Sequence, residues 1–246
     1  MDSRRCGRCG QVTAFQRQRA DARAQQLSRP QGSLFDGFAD DDDAAAAERA
    51  KFRRTEYATI APFLDVMSLP GGLWVEPCAG DGDLIRHVER WRREAGVPPV
   101  TLWYAVELRT SPALRALAEE MAPRLVVFDA TDFLTWSPPD SRDRIGCAVT
   151  ITNWPWYGWE PLASHAFAVF KHAHVVGLSC TRELLDGDRP DWHHAHPADQ
   201  YVCHGRQRFD AATGYPHPVA WFHWPPGARQ RNAGTWRILP EHKETA

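Results

Sequence analysis

Short apolar runs alternate with segments of helical periodicity between about residue 50 and residue 180. Apolar side chains recur at helical spacing from Tyr57 to Met67, and a Leu-Pro-Gly-Gly sequence then ends that helix. Four apolar runs follow that are long enough for strands, and each leads into a polar side chain. They are Leu73–Val75, Val100–Val106, Leu125–Phe128 and Ile145–Thr152. Because these runs are predominantly apolar, we expect strands buried on both faces, as in a parallel sheet covered by helices.

Helical segments separate these strands, and further strands follow them. The predicted helices are Leu84–Trp91, a helix opened by Ser111 or Pro112 that runs to about Met121, and Leu162–His172. A fifth strand is predicted at His174–Ser179, and Gln200–Phe209 and Pro218–Trp224 are predicted to pair antiparallel. The predicted fold class is therefore α/β, with a mostly parallel sheet, a C-terminal antiparallel hairpin and helices on both faces.

The composition of this chain of 246 residues indicates its domain size, its cellular compartment and the ligands that it could contact. The length suits one sizeable α/β domain with tails, and no apolar run approaches the roughly 20 residues that span a bilayer. Six scattered cysteines without a signal peptide predict a reducing, cytoplasmic setting. The net charge of −2 means that any contact with nucleic acid must come from a local patch, and eleven tryptophans offer rings for stacking.

The first fifty residues do not have the composition of a folded domain, because they contain few large apolar side chains. We therefore predict a disordered tail over residues 1–50, a folded domain over 51–228 and a second tail over 229–246. Cys6 and Cys9 have the spacing of half a zinc site, but the chain has no second Cys-x-x-Cys. A flexible thiol pair without metal is the favoured interpretation.

The segment Gln31–Phe35 in this tail resembles the short Gln-x-Ser/Asp-Leu-Phe peptide by which bacterial and phage DNA enzymes dock on the replicative sliding clamp. The resemblance implies a sliding clamp as a partner, contacted through Gln31, Leu34 and Phe35. A peptide of this kind inserts two apolar side chains into a pocket, which suits an extended tail. The alternative is a local apolar cluster that packs onto the domain.

Polar side chains stand where four successive predicted strands end. They are Glu76, Glu107, Asp129 and Asn153. The carboxyl ends of parallel strands meet at one edge of the sheet, where such folds bind ligands. Gly80 and Gly82 follow the first strand, and glycines there let a ligand lie against backbone at the start of a helix. A single acid after a strand often only caps a turn, so the argument depends on all four positions together.

With these motifs the chain resembles class I S-adenosylmethionine-dependent methyltransferases, and more narrowly the small phage-type DNA adenine-N6 amino-methyltransferases. The family's first motif matches the sequence EPCAGDG over Glu76–Gly82, and its catalytic Asn/Asp-Pro-Pro-aromatic tetrapeptide matches Asn153–Trp156. The resemblance extends over about Phe52 to Trp224. It implies a Rossmann-like sheet, S-adenosylmethionine as the cofactor and DNA as the substrate.

The resemblance also implies roles for individual residues. The cofactor-binding residues would be Glu76, Pro77, Ala79, Gly80, Gly82, Glu107 and Asp129. Glu107 would accept the ribose hydroxyls, and Asp129 the adenine amino group. Glu76 would shape the turn or contact the methionyl ammonium, while a strand-end carboxylate that caps the turn is an equal alternative.

The catalytic residues implied by the resemblance are Asn153, Trp154, Pro155 and Trp156. Asn153 and the Trp154 carbonyl would accept hydrogen bonds from the target amino group, Pro155 would stiffen the turn, and Trp156 would stack on a flipped base. Trp154 departs from the family pattern, since the family has proline there. It keeps a carbonyl oxygen but lacks the locked φ of proline.

The remaining chain offers weaker signals. Thr181–Gln200 is predicted as a polar loop, in which histidines at 193, 194 and 196 allow a metal-binding, a substrate-facing or a merely solvated interpretation. The substrate-facing loop is favoured, and no metal site is predicted. Arg206 and Arg208 are candidate phosphate contacts. Since no separate target-recognition domain is visible, we expect a short or relaxed recognition sequence.

Other substrates and a different class of function stay open. Cytosine N4 in DNA, adenine in RNA and the glutamine side chain of a protein all suit the same acceptor pair. The rival from another class is a methyltransferase-like binding module without catalysis, which the Gln31–Phe35 segment would recruit to a clamp.

Overall fold

The computed structural model describes residues 54–155, 159–181, 190–204, 218–227 and 234–241. The chain divides into two units, residues 1–51 and 52–246, and every described residue belongs to the second unit. The predictions for Cys6, Cys9 and Gln31–Phe35 therefore fall outside the described residues, as do those for Trp156, Arg206 and Arg208.

The described residues form helices and strands that alternate along most of the chain. In chain order they are α1 (Tyr57–Val66), β1 (Leu73–Glu76), α2 (Asp83–Glu94), β2 (Leu102–Val106), α3 (Pro112–Met121), β3 (Leu125–Phe128), α4 (Ser141–Gly146), β4 (Cys147–Asn153), α5 (Trp159–Val169), β5 (His174–Cys180), α6 (Pro190–Ala195), β6 (Asp199–Val202), β7 (Val219–Trp224) and β8 (Trp236–Ile238).

One sheet contains all eight of these strands, in the order β3-β2-β1-β4-β5-β7-β6-β8. The pairs from β3 to β5 are parallel, whereas β7 runs antiparallel to both β5 and β6. The predicted α/β fold, with a mostly parallel sheet and a C-terminal antiparallel hairpin, is confirmed.

The eighth strand lies in a segment that the sequence placed in a C-terminal tail. β8 pairs parallel with β6, with Gln200 opposite Trp236 and Val202 opposite Ile238. All three residues of β8 are exposed, so the strand contributes an edge to the sheet and little to the core. A strand of this length without buried positions has no apolar pattern by which a sequence could reveal it.

Two other elements differ from the sequence prediction for local reasons. Ile145 was expected to open β4, but it lies in the short helix α4 and is 73% exposed. The Asp140 side chain caps this helix by accepting a hydrogen bond from the Arg142 N–H at 2.8 Å. The predicted polar loop from Thr181 to Gln200 contains the helix α6. Both helices are too short to show helical periodicity.

The two faces of the sheet build two cores, because alternate residues of each strand point to opposite faces. On β2, Trp103 and Ala105 join one core, while Tyr104 and Val106 join the other. The first core packs against α1, α2 and α3, and it includes Phe63 stacked on Trp221 with ring centroids 5.3 Å apart. The second core packs against α5 and is rich in aromatic rings. Within the described ranges, no helix combines the length and the apolarity needed to cross a membrane.

A pair of stacked histidines joins β5 to β7 at the amino end of β5. His174 Nδ1 lies 2.8 Å from His223 Nε2, and the ring centroids are 5.1 Å apart. Two nitrogens at this distance share one proton, so the contact is lost when both rings become cations. Burial lowers the pKa of His174 below the ordinary value for histidine.

We expect this pair to make the fold less stable in mild acid. As pH falls below the ordinary histidine pKa of about 6.5, the unfolded chain takes up a proton before folded His174 does, so folding free energy is lost. His174→Gln should reduce the fall in melting temperature between pH 7.5 and pH 5.5, measured by circular dichroism. His172→Gln is the control on an exposed neighbour, and equal pH slopes for all three proteins would contradict the expectation.

Candidate functional site

Four polar residues meet at the carboxyl edge of the sheet. Glu76 closes β1, Glu107 follows β2, Asp129 follows β3 and Asn153 closes β4. Because the strand order is β3-β2-β1-β4, the order of these residues across the edge is Asp129, Glu107, Glu76, Asn153. Neighbouring strands lie about 4.8 Å apart, so the row extends over about 14 Å.

The turn from β1 to α2 has the backbone conformation that its glycines permit. Gly80 has φ of 53° and Gly82 has φ of 78°, both in the left-handed region. The Ala79 N–H donates to the Val106 carbonyl at 3.2 Å, which holds the turn against the end of β2. The start of α2 therefore lies beside the end of β2.

Two arginines hold this turn, and the sequence analysis did not single them out. Arg86 donates to the Asp81 carbonyl at 2.8 Å and to the Ala113 carbonyl at 2.9 Å, so it links the glycine turn to α3. Arg54 binds both carboxylate oxygens of Asp83 at 2.6 and 3.0 Å, so it links the entry of α1 to the start of α2. Arginine on an amphipathic helix is common in solvent, so the sequence carried no signal for these contacts.

Glu107 connects the three strand ends on its side of the site. Its Oε2 accepts a hydrogen bond from the Gly80 N–H at 2.7 Å, and its Oε1 accepts one from the Arg109 N–H at 2.9 Å. Its own N–H donates to the Phe128 carbonyl at 3.2 Å. A carboxylate has about four acceptor positions, so two remain for a ligand. Its side chain is partly exposed, which leaves those positions accessible.

Glu76 is buried in the middle of the row. Its side chain is 2% exposed, and its Oε2 has no hydrogen-bond partner within the described part of the chain. Burial raises the pKa of Glu76 well above its ordinary value, and the carboxylates of Glu107 and Asp83 add to the effect. Burial also raises the pKa of the Cys78 thiol, and the carboxylates of Glu107, Glu76 and Asp132 add to the effect. The centre of the site thus favours a cation or a proton.

Asp129 and Asn153 stand at the two ends of the row. Asp129 is half exposed, and the Arg115 Nη2 lies 2.9 Å from its Oδ2, so part of its acceptor capacity is already used. Asn153 is partly buried and lies opposite Leu178 in the pairing of β4 with β5. Trp154 and Pro155 continue from the end of β4, with the Trp154 side chain buried.

The histidines of the predicted polar loop pack among aromatic rings. His193 lies against Trp159 with ring centroids 5.7 Å apart, and His196 stacks on Trp192 at 4.6 Å and on Phe167 at 5.3 Å. Trp192 in α6 also donates its Nε1–H to Ser164 at 2.8 Å. Among the described residues, no cluster of histidine, cysteine or acidic side chains could hold a metal ion. This segment therefore supports α5, the helix that follows Asn153–Trp156.

The comparisons with known proteins agree with the strand order. Neither the protein-family models nor the curated protein sequences match this chain. The type I restriction-modification methyltransferase subunit from Streptococcus thermophilus matches 80% of this chain with a TM-score of 0.53 and 12% identity. A protein from Lactococcus lactis named as a candidate hemolysin matches 76% of this chain and 94% of its own, with a TM-score of 0.51 and 9% identity.

A third similar structure is itself named as a methyltransferase. It is a candidate class I S-adenosylmethionine-dependent methyltransferase from Listeria monocytogenes, which matches 73% of this chain with a TM-score of 0.49 and 9% identity. This chain spans 62% of that protein and 51% of the Streptococcus thermophilus subunit. Identities this low bear on the fold and not on the substrate. Together with the strand order, these structures show that the chain has a Rossmann-like α/β fold, which it shares with proteins named as methyltransferases. S-adenosylmethionine is the cofactor that the sequence resemblance implies.

The residues of the edge fit that cofactor chemically. Glu107 has acceptor capacity for the two ribose hydroxyls, and Asp129 has some for an amino group. The buried Glu76 Oε2, which has no hydrogen-bond partner among the described residues, is an acceptor that an ammonium would satisfy. The turn through Gly80 and Gly82 presents backbone rather than side chains at the helix start.

Gly82 has a packing role that is separate from any ligand. A Cβ at this position would lie 2.7 Å from Leu117 Cδ2 and 3.0 Å from Leu114 Cδ1, and both leucines are buried. We expect Gly82→Ala to destabilise the fold by about 2–5 kcal/mol, because strain of the positive φ adds to overpacking. Gly96→Ala is the matched control, since Gly96 has φ of 67° and nothing within 4 Å of its Cβ position. Gly96→Ala should cost only about 1–2 kcal/mol in urea unfolding. Equal costs would show that Gly82 is not packed against α3 as described.

We expect Glu76 to lower the stability of the ligand-free protein and to contribute to the binding of S-adenosylmethionine. Its raised pKa means that, above the ordinary glutamate value, the unfolded chain loses its proton while folded Glu76 retains it, so folding is penalised as pH rises. Glu76→Gln should therefore raise the melting temperature of the ligand-free protein, more at pH 8 than at pH 5. The same variant should weaken S-adenosylmethionine binding in calorimetry by about 10-fold or more, because an ionic hydrogen bond is lost. Glu120→Gln, on an exposed position of α3, is the control. A lower melting temperature at pH 8, or unchanged affinity, would contradict this role.

Proposed function

We propose that this protein transfers a methyl group from S-adenosylmethionine to the exocyclic N6 amino group of adenine in DNA. The observation that carries the proposal is the order Asp129, Glu107, Glu76, Asn153 across the carboxyl edge of the sheet. This order matches the parts of an extended cofactor, from its adenine through its ribose to its amino acid, with the acceptor of the substrate amine beyond. The strand order β3-β2-β1-β4 produces that sequence from residues that are scattered along the chain.

The cofactor half of the site is assigned residue by residue. Asp129 accepts from the adenine amino group, Glu107 accepts from the ribose hydroxyls, and Glu76 pairs with the methionyl ammonium. Gly80 and Gly82, with Pro77 and Ala79, shape the backbone against which the cofactor lies.

The catalytic half depends on two acceptors at the end of β4. An exocyclic amine on a base is a poor nucleophile, because its lone pair is delocalised into the ring. The Asn153 side chain and the Trp154 carbonyl accept from its two N–H groups, which favours a tetrahedral nitrogen with a directed lone pair. When bound, S-adenosylmethionine would supply an electrophilic methyl group to the amine held by Asn153 and the Trp154 carbonyl, with S-adenosylhomocysteine as the leaving group. The nitrogen then releases one proton to solvent.

The DNA contacts belong to residues outside the described ranges. Trp156 stacks on the flipped adenine, a contact typically worth about 1–3 kcal/mol per base, and Arg206 and Arg208 contact phosphate. The Gln31–Phe35 segment brings the protein to a sliding clamp. These assignments rest on the motif resemblance, and the acceptor pair by itself suits cytosine N4, RNA or a protein glutamine as well.

The test is methyl transfer from radiolabelled S-adenosylmethionine to unmethylated genomic DNA, followed by digestion to nucleosides. The wild type should place label in N6-methyl-2′-deoxyadenosine. Asn153→Ala should reduce the rate by about 10²-fold or more, because one of the two positioned acceptors is removed. Asn153→Asp keeps an acceptor and should retain more activity than Asn153→Ala. Cofactor affinity, measured by calorimetry, should stay unchanged in both variants and serves as the folding control.

Other outcomes separate the alternatives. Label in N4-methyl-2′-deoxycytidine, or label in RNA or protein supplied in place of DNA, would replace adenine in DNA by that substrate. Cofactor binding without transfer to any of them would refute catalysis. It would favour the methyltransferase-like module recruited through Gln31–Phe35.

A further inference from the structure

We infer that Trp154 is a positioning residue whose buried side chain, seated on Gly177 and Trp159, holds both ends of the segment that carries Asn153–Trp156. This inference rests on the proposed function, because it concerns the segment that would present the acceptor pair. In the resembled methyltransferases a proline stands at the position of Trp154. The structure shows a different way to fix the chain at that point.

The backbone of Trp154 extends the sheet by one hydrogen bond. β4 pairs with β5 up to Asn153 opposite Leu178, and the Trp154 N–H then donates to the Leu178 carbonyl at 3.2 Å. Proline has no N–H and could not make this bond. The direction of the chain after Asn153 is thus set by the β5 ladder rather than by a locked φ.

The indole of Trp154 occupies the space that Gly177 leaves open. A Cβ on Gly177 would lie 1.5 Å from Trp154 Nε1 and 2.2 Å from its Cδ1. Gly177 is a residue of β5 and does not have a left-handed φ, so its backbone conformation does not require glycine. The close approach of the indole is therefore the physical reason for a glycine at this position.

Trp159 fixes the other end of the segment. It is the first residue of α5, it is 1% exposed, and its ring stacks on Trp154 with centroids 6.4 Å apart and planes at 23°. Trp159 is held in turn by Phe222 at 6.2 Å and by Trp192 of α6 at 5.3 Å. Through Trp192, the α6 helix in the predicted polar loop thus helps to hold Trp159 in place.

Two buried, stacked rings at positions 154 and 159 hold the ends of a short connection together. Pro155 and Trp156 lie within it. The acceptors Asn153 and the Trp154 carbonyl lie at its first anchored end, so their orientation depends on the packing of the indole. Side-chain packing of Trp154 therefore takes the place of the locked φ that proline would supply.

The experiment compares Trp154→Phe, Trp154→Ala, Gly177→Ala and the double variant Trp154→Ala/Gly177→Ala. Two quantities are measured at a temperature at which every variant is folded. The first is kcat of methyl transfer, with the dissociation constant of S-adenosylhomocysteine beside it. The second is the rate of chymotryptic cleavage after Trp156 or Tyr157, identified by mass spectrometry, with cleavage after Phe35 as the internal reference.

We expect Trp154→Ala and Gly177→Ala to lower kcat by about 10- to 100-fold, since small misplacements of reacting groups have effects of this size. Affinity for S-adenosylhomocysteine should stay within about twofold, because Gly80 and Glu107 follow β1 and β2 and not β4. Cleavage after Trp156 or Tyr157 should accelerate. The double variant should behave like Trp154→Ala alone, because Gly177→Ala acts only through the indole.

Trp74→Phe is the matched control, since Trp74 is equally buried but belongs to the opposite core. It should lower the melting temperature without changing kcat or cleavage at Trp156. If Trp154→Ala does not fold, Trp154→Phe is compared with the wild type in its place. Unchanged kcat and unchanged cleavage in the Trp154 variants, with a melting temperature lowered as in Trp74→Phe, would reduce Trp154 to a core residue. If the wild type methylates nothing, the proposed function fails, and the cleavage rates alone still decide whether the anchor exists.

Discussion

The parallel pairing of β1 with β2 on one side and β4 on the other is the constraint on which the site depends. Leu73 to Glu76 align with Leu102 to Ala105, and Val75 aligns with Thr150. Parallel strands in register end at one edge, so this pairing brings Glu76, Glu107 and Asn153 together. No contact among their side chains is needed for that convergence, because the backbone ladder imposes it.

The edge that this pairing creates is electrostatically costly. Glu76 is buried near Glu107 and Asp83, and its raised pKa records the unfavourable burial of negative charge. Glu107 is better satisfied, because the Gly80 and Arg109 N–H groups donate to it. A buried carboxylate close to other carboxylates favours binding of a cation. The ammonium of the cofactor that the resemblance implies would reduce the cost of this buried negative charge. Glu76 thus lowers the stability of the ligand-free fold, and it is the same residue that would bind the ammonium.

The two cores on opposite faces of the sheet support different parts of the site. One core packs α1, α2 and α3, and Arg86 of α2 and Arg54 before α1 hold the glycine turn of the proposed cofactor half. The other core is aromatic, and it contains Trp154 and Trp159, which stand at the two ends of the proposed catalytic segment. The same alternation of side chains along each strand that builds two cores thus supports the two halves of the site separately.

Most strands, most helices and the strand-end polar residues were predictable from the sequence, because apolar runs, helical spacing and caps such as Ser111 are local signals. Ser111 Oγ accepts from the Leu114 N–H at 3.1 Å, as an N-cap at that position should. The helices α4 and α6 and the strand β8 were not predictable, because they are too short or too exposed to leave a periodic pattern. The roles of Arg86, Gly177 and Trp154 depend on neighbours that are distant in sequence. The sequence by itself determined which residues form the edge of the sheet; only the tertiary structure decided their order across it and what holds them, because both are set by strand pairing and packing between distant segments.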